Sequence, residues 1–201
     1  MEFSLIYRHY YIHYYVVALL LFALVGLPAS MPIVDNDRVT VWDVTAGDPA
    51  APKHAGDTMW ISLSRPGEVA FRDAGQRFDP AALGGRAIAI DLKDRNVEPL
   101  ANTSGYPNAF PRPGVKKLFE NARVVVWDYS WQPRVPTPMH FHDKDVVVVY
   151  VENGSLKSTT VDGQSSANEF SAGTVRYNQR NRIHTEMLTS DKARAIITEL
   201  K

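Results

Sequence analysis

PMHFHDKDVVVVYVENG, residues 138–154, holds two signals that decide the fold. Val146–Val151 is an unbroken apolar run of β-branched and aromatic residues closed by the turn pair Asn153-Gly154, which reads as a short strand followed by a reversal. Successive side chains of a strand point to opposite faces, so a run apolar at every position predicts burial on both faces. A single facing sheet covers only one of them. The second cover is therefore expected from another part of the chain or from a partner subunit in a homodimer. Ahead of the run, His140 and His142 are two positions apart, and on an extended strand two such imidazoles share a face.

Outward from this stretch the same texture continues. Val124–Trp131, Leu156–Val161, Thr174–Tyr177, Ile183–Leu188 and Arg194–Leu200 read as further short strands separated by Gly, Asn and Pro turns. No segment carries a sustained apolar period of 3.6. The expected class is all-β, a sandwich or barrel.

The chain also repeats itself. NDRVTVWD at Asn36–Asp43 matches NARVVVWD at Asn121–Asp128, Pro52-Lys53-His54 matches Pro138-Met139-His140, Gly67 is matched with Gly154, and RAIAIDLK at Arg86–Lys93 matches RAIITELK at Arg194–Lys201. The expected organisation is a shortened first copy over residues 31–98, a linker over 99–114 and a second copy over 115–201. Four prolines in PLANTSGYPNAFPRPG, residues 99–114, argue against a strand or helix there. Asn102-Thr103-Ser104 within it fits a glycosylation sequon.

Residues 1–30 are set apart. Val16–Leu27, VVALLLFALVGL, is followed by the small residues Pro28-Ala29-Ser30, the pattern of a signal peptide for a periplasmic or secreted protein. The alternative is a membrane anchor over residues 9–30, lengthened by Tyr10, Tyr11, Tyr14 and Tyr15, and the only membrane contact expected is through this segment. A third reading starts the protein at Met31 and leaves it cytoplasmic.

Composition narrows the chemistry. The 201 residues carry 22 basic and 22 acidic side chains, a net charge of zero that argues against a nucleic-acid partner. With no cysteine there is neither a disulfide nor a thiolate metal site, so any metal must be held by His, Asp or Glu. Of the 6 histidines, His9 and His13 lie in the N-terminal segment and three of the rest, His140, His142 and His184, in the second copy. Imidazoles converging inside a barrel suit one divalent transition ion, with Fe, Cu, Zn, Mn and Ni all compatible.

These residues resemble the two motifs of the cupin superfamily. His140-Phe141-His142 with the closing Gly154 matches the first, and Gly173 with His184 matches the spacing of the second, with Gln179 and Asn181 at its proline and glycine positions. Asn is the non-glycine residue that best tolerates a left-handed backbone. The resemblance covers residues 116–201, and the first copy by duplication. It implies a cupin-type jelly-roll barrel with His140, His142 and His184 as ligands. Two departures stand out. Arg134 replaces the opening glycine, and Val147 stands where the spacing to Gly154 places the family's metal-binding glutamate, facing the ion. Some cupins, among them thiol and diketone dioxygenases, use three histidines alone. Asp145 and Glu186 are weaker ligand candidates.

In the first copy Gly56 replaces the second histidine, and the span from Gly75 to Arg86 is too short for a counterpart of the His184 region, so no metal is expected there. Because that copy still holds Trp42 and Asp43, the matching Trp127, with Tyr129 and Trp131, reads as core or subunit interface rather than a ligand platform. Tyr177 is a candidate proton donor beside the metal. Arg176 and Arg182 can bind an anionic substrate or solubilise a strand edge. Three functions fit: a metal-dependent enzyme of oxygenase type acting on a small molecule outside the cytoplasm, a non-catalytic metal or small-molecule binding module, and a structural protein of the same fold.

Overall fold

In the computed structural model the described residues are 30–49, 51–93 and 97–201; the expected signal or anchor over 1–30 falls outside them except for Ser30. The second half folds as two facing antiparallel sheets. β6 (Val115–Glu120), β7 (Val124–Ser130), β9 (Asp145–Tyr150), β12 (Val175–Asn178) and β14 (Arg194–Leu200) form one, in the order β12-β9-β14-β7-β6. β8 (His140–His142), β10 (Gly154–Thr160), β11 (Ser165–Phe170) and β13 (Arg182–Leu188) form the other, in the order β11-β10-β13-β8. Alternation along the first sheet turns Val125, Trp127, Tyr129, Val146, Val148, Tyr150, Ala195 and Ile197 inward, where they pack against Leu156, Phe170 and Leu188 of the second. The fold is all-β, as the strands and turns predict, and is the jelly-roll barrel that the family resemblance implies. Three strands lie outside the expected runs or extend past them: β6, whose VKKLFE has too little alternation to read, β11, and β8, which the His pair alone marks.

The opposite parity of the five-stranded sheet is just as apolar and just as buried. Val124, Val126, Val147, Val149 and Ile196 pack against Val39, Val41, Met59, Ile61, Ile88 and Ile90 of the first half. The second cover for Val146–Val151 is thus the first copy, within one chain. That copy is a single sheet of β1 (Val34–Asp35), β2 (Val39–Thr45), β3 (Thr58–Ser62), β4 (Val69–Arg72) and β5 (Arg86–Leu92), in the order β1-β2-β5-β3-β4. Strand for strand this is the order β6-β7-β14-β9-β12, so the first copy is one of the two sheets of the barrel. The other sheet has no counterpart. Where it would lie, the turn Pro80–Leu83 lays Leu83 and the nearby Phe78 over Val44, Trp60, Ala87 and Ala89.

The duplication extends to individual hydrogen bonds. The side-chain oxygen of Asn36 accepts from the backbone N–H of Arg38 and Val39, and that of Asn121 from Arg123 and Val124. Trp42 Nε1 donates to Asp91 at 2.9 Å, and Trp127 Nε1 to Glu199 at 2.8 Å. Asp43 pairs with Arg86, and Asp128 with Arg194. The two copies also exchange arginines. Arg38 reaches Asp145 at 3.7 Å and the carbonyl of Lys201 at 3.2 Å; Arg123 reaches Asp57 and the carbonyl of Lys93, each at 2.8 Å. Such reciprocity is what a local twofold between two packed copies produces.

Strand pairing corrects one landmark. β4 follows β3 and pairs with it as β12 pairs with β9, Val69 opposite Ile61 and Val175 opposite Val149. The equivalent of Gly67 is therefore Gly173, not Gly154. Both lie in the left-handed region, at φ 96° and 91°, and at each a Cβ would meet the arginine of the other copy, Arg194 at Gly67 and Arg86 at Gly173. The hairpin β10–β11, with Gly154 at its start, is what the first copy lacks.

Residues 99–114 contain no named strand, in keeping with the four prolines, yet they are packed against the barrel. Ala109 N–H donates to the carbonyl of Phe141, and Phe141 N–H to that of Pro107, each at 2.8 Å. Ala109 and Phe110 are buried in the barrel core. The segment is a strap across β8.

Candidate metal centre

Antiparallel pairing of β8 with β13 sets His184 directly opposite His140, with Arg182 opposite His142. The two histidines of β8 share a face because one residue separates them. Three rings meet in a triangle, with centroids 4.7 Å apart for His140 and His184 and 5.1 Å for each of the other pairs. His140, His142 and His184 each offer one nitrogen to a cluster whose atoms all lie within 4.8 Å of one another. His142 Nε2 and His184 Nε2 are 3.0 Å apart. Two nitrogens bound at about 2.1 Å, a usual zinc–imidazole length, stand about 3.0 Å apart when they meet the ion at right angles.

The rest of the geometry suits an ion as well. His140 Nδ1 lies 2.8 Å from the carbonyl of Pro138, which can only accept, so the proton is on Nδ1 and Nε2 keeps its lone pair. His184 Nδ1 lies 2.8 Å from Ser158 Oγ, which can donate or accept and so lets His184 offer Nε2 as a lone pair. His142 Nδ1 is buried without a partner. All three rings are also held neutral, the form that binds metal. Burial, and then the Arg112 charge, lowers His140; burial and the two neighbouring rings hold His142 well below the usual imidazole value; burial brings His184 down to about 4.

Beside His142 and His184 lies a cavity of about 30 Å³, room for about two waters. Phe110, Arg112, Trp131, Val146, Val148, Tyr150, Arg182 and Glu186 line it together with His142 and His184. Arg112 comes from the strap. Its Nη1 is 3.3 Å from His140 Nε2 and its Nη2 3.6 Å from Glu186 Oε2, while the guanidinium stacks over Phe110 and Tyr129. Glu186 also accepts from Trp131 Nε1 at 3.1 Å. Burial alone would raise the Glu186 carboxyl, but the neighbouring His184 ring, the Arg112 guanidinium and the His140 ring outweigh it and leave it below the usual value.

The residues expected near the ion divide sharply. Glu186 shares the face of His184, as its spacing predicts, but is engaged by Trp131 and Arg112 and lies outside the three-nitrogen cluster. Asp145 points the other way: it accepts from the backbone of Arg180 at 2.9 Å and pairs with Arg38 between the copies. Tyr177 stands opposite Val147 and packs in the layer between the two copies, near Asp145. Burial and that carboxylate push its hydroxyl up to about 12, which does not suit a proton donor at neutral pH. Asp145 and Tyr177 line a separate, open groove of about 1140 Å³ at the junction of the copies, which meets the cavity beside the histidines at Asn178 and Arg182. Val147 is buried, as expected, but it faces the first copy. The position that faces the cavity on β9 is Val146, one residue earlier.

Two of the departures from the motif have structural answers. Asn181 sits at φ 64° and Arg134 at φ 61°, so both take the left-handed conformation that glycine adopts most readily. Trp127 and Tyr129 belong to the core as expected, whereas Trp131 also lines the cavity. His54, the first copy's match to His140, lies against Asp91 at 2.8 Å and Trp60 on the far side of the first sheet. Arg112, Phe110 and Ser158 were not signalled in the sequence. The first two sit in a Pro-rich stretch with no period, and Ser158 is one polar residue of an ordinary strand.

No family model matches the chain and no curated protein matches it in sequence. Among solved structures it is similar to a cupin domain from Bordetella pertussis Tohama I, at 27% identity over 46% of this chain and 99% of that one, with a TM-score of 0.41. It is similar to a cupin 2 conserved barrel domain protein from Leptotrichia buccalis, at 13% identity over 90% and 94% of the two chains, TM-score 0.46. It is also similar to the polyketide cyclase RemF from Streptomyces resistomycificus, at 20% identity over 52% and 80%, TM-score 0.37. Independently of these, two facing antiparallel sheets in this strand order, with His140 and His142 on β8 and His184 beside them on β13, make the second half of the chain a cupin-type jelly-roll barrel, to which the first half adds one sheet of the same design.

Proposed function

We propose that the chain binds one divalent transition metal ion through His140, His142 and His184, and that it works as a small metal-dependent enzyme of oxygenase type on a small molecule. The observation that carries the reading is the convergence of three buried, neutral imidazoles, two of them with Nε2 atoms 3.0 Å apart. A bound ion would supply Lewis-acid or redox chemistry. The protein's own part is to fix the His140 tautomer through Pro138, to hold the His184 ring through Ser158, and to wall the cavity with Phe110, Trp131, Val146 and Val148. The apolar block at residues 16–27 supports action outside the cytoplasm, in the periplasm or after secretion. The size of the cavity favours a second reading, a non-catalytic metal-binding module, because about 30 Å³ admits little beside water.

The test is metal analysis of the chain from Met31 onward, purified without added metal and then loaded with Fe²⁺, Mn²⁺, Ni²⁺, Cu²⁺ or Zn²⁺ in turn, with electron paramagnetic resonance of the paramagnetic forms. About one ion per chain is expected, with large losses in His140→Ala, His142→Ala and His184→Ala. Full occupancy in His184→Ala would overturn the assignment. Oxygen uptake by the iron-loaded protein across a panel of small molecules separates the enzyme from the binding module.

A further inference from the structure

Resting on that reading, we propose that Arg112 is the substrate-binding residue of the site and selects a small anion, a carboxylate, as the molecule that meets the metal. Arg112 is 8% exposed, lies on the cavity wall, and its Nε is buried with no partner. A guanidinium is fitted to carboxylates by its planar fork of donors. Here the guanidinium carbon lies over the rings of Phe110 and Tyr129, at 4.9 and 4.2 Å, which keeps the group at the cavity wall before any ligand arrives.

The contacts of Arg112 define what is missing. Its Nη1 donates to His140 Nε2, the lone pair that a metal ion takes. An ion on that lone pair would displace this N–H, so the guanidinium would turn away within the cavity, without that acceptor and near a second cation. Glu186 meets only part of the need: it pairs with Arg112 Nη2 at 3.6 Å and is shared with Trp131 Nε1. The side chains lining the cavity carry two guanidiniums, Arg112 and Arg182, against the single carboxylate of Glu186, so the surplus is positive even before a divalent ion is added. Buried positive charge in excess of its counter-charge is costly, and a small anion beside Arg112 would relieve it. The size of the cavity limits that anion to a small head group.

The experiment uses Co²⁺-loaded protein in a buffer free of coordinating anions, with sodium formate as the probe and formamide as the neutral control. The visible absorption of Co²⁺ reports ligand exchange directly. Formate should change the wild-type spectrum saturably and formamide should not. Arg112→Met should keep Co²⁺ binding and weaken formate at least 10-fold, an order-of-magnitude expectation for one charge-assisted contact. Arg112→Lys keeps the charge without the fork and should fall between the two. Should Arg112→Met fail to fold, Arg112→Lys alone decides, since a merely structural arginine would leave formate affinity unchanged there. Equal formate affinity in wild type and variants, or no spectral response of the wild type, overturns the proposal while leaving the metal site intact. Absence of Co²⁺ binding by the wild type overturns both.

Discussion

A glutamate placed at residue 147 or at residue 146 tests the orientation of β9 and with it the architecture of the site. Val147 is wholly buried between the two copies, among Val39, Val41 and Ile196 and opposite Thr198 and Tyr177 on the neighbouring strands. In Val147→Glu a carboxylate enters an apolar layer and meets no metal. An uncompensated buried charge costs about 3–5 kcal/mol. At about 2–4 °C per kcal/mol for a chain of this size, the melting temperature should fall by about 6–20 °C. Val146 is equally buried but lines the cavity with His142 and His184. Val146→Glu places the carboxylate where an ion can use it, and each tenfold gain in metal affinity adds about 1.4 kcal/mol in the presence of metal. Circular-dichroism melting of wild type and both variants, with and without saturating Mn²⁺ or Zn²⁺, gives the answer. The metal-induced rise should be the same in Val147→Glu as in wild type and larger in Val146→Glu. A larger rise in Val147→Glu would refute the assignment of β9 parity.

Three further outcomes are expected. His54→Ala should leave metal content unchanged, because its ring is tied to Asp91 on the far side of the first sheet; a marked loss on metal analysis would mean that the copies share one site. The stability of the metal-free protein should fall in acid. The unfolded chain takes up protons from about pH 6.5 downward, while buried His184 refuses its proton until about pH 4, so stability is lost across that window, by about 3 kcal/mol for His184 alone, and denaturant melts at stepped pH that stay level would contradict the neutral triad. Arg123→Ala should cost about 1–3 kcal/mol, since it removes charge-assisted bonds to Asp57 and to the Lys93 carbonyl; urea unfolding measures this, and a cost as large in Asp57→Asn as in Arg123→Ala would assign most of it to the ion pair.

What was legible in the sequence was set by strand periodicity and by repetition. The apolar run Val146–Val151 announced two covered faces, and the match of Asn36–Asp43 to Asn121–Asp128 supplied the copy that covers one of them. His140, His142 and His184 were readable because same-face spacing on a strand needs no tertiary information. Val147 was misassigned for the converse reason: the turn between β8 and β9 can take up one residue more or fewer, and a slip of one residue inverts every face beyond it. Gly67 was matched to the wrong glycine because strand pairing, not order along the chain, sets equivalence once the hairpin β10–β11 is absent. Arg112 was out of reach altogether, since the path of a strap without a period is fixed by hydrogen bonds such as Ala109 to Phe141.

The retention of a first copy that keeps so few of the ligands follows from the same geometry. Without it, β7, β9 and β14 would present Val124, Val126, Val147, Val149 and Ile196 to water as one continuous apolar face, the kind of surface that drives association. The first copy holds what a cover needs: the inward valines and isoleucines, the tryptophan–carboxylate bond of Trp42 and Asp91, the Asp43–Arg86 pair, and Arg38 to reach Asp145. The sheet it lacks is the one that bears β8 and β13, and with them the histidines. Division of labour thus runs along sheets. One sheet of each copy makes the interface, and only the second copy keeps the additional sheet on which a metal centre can be built.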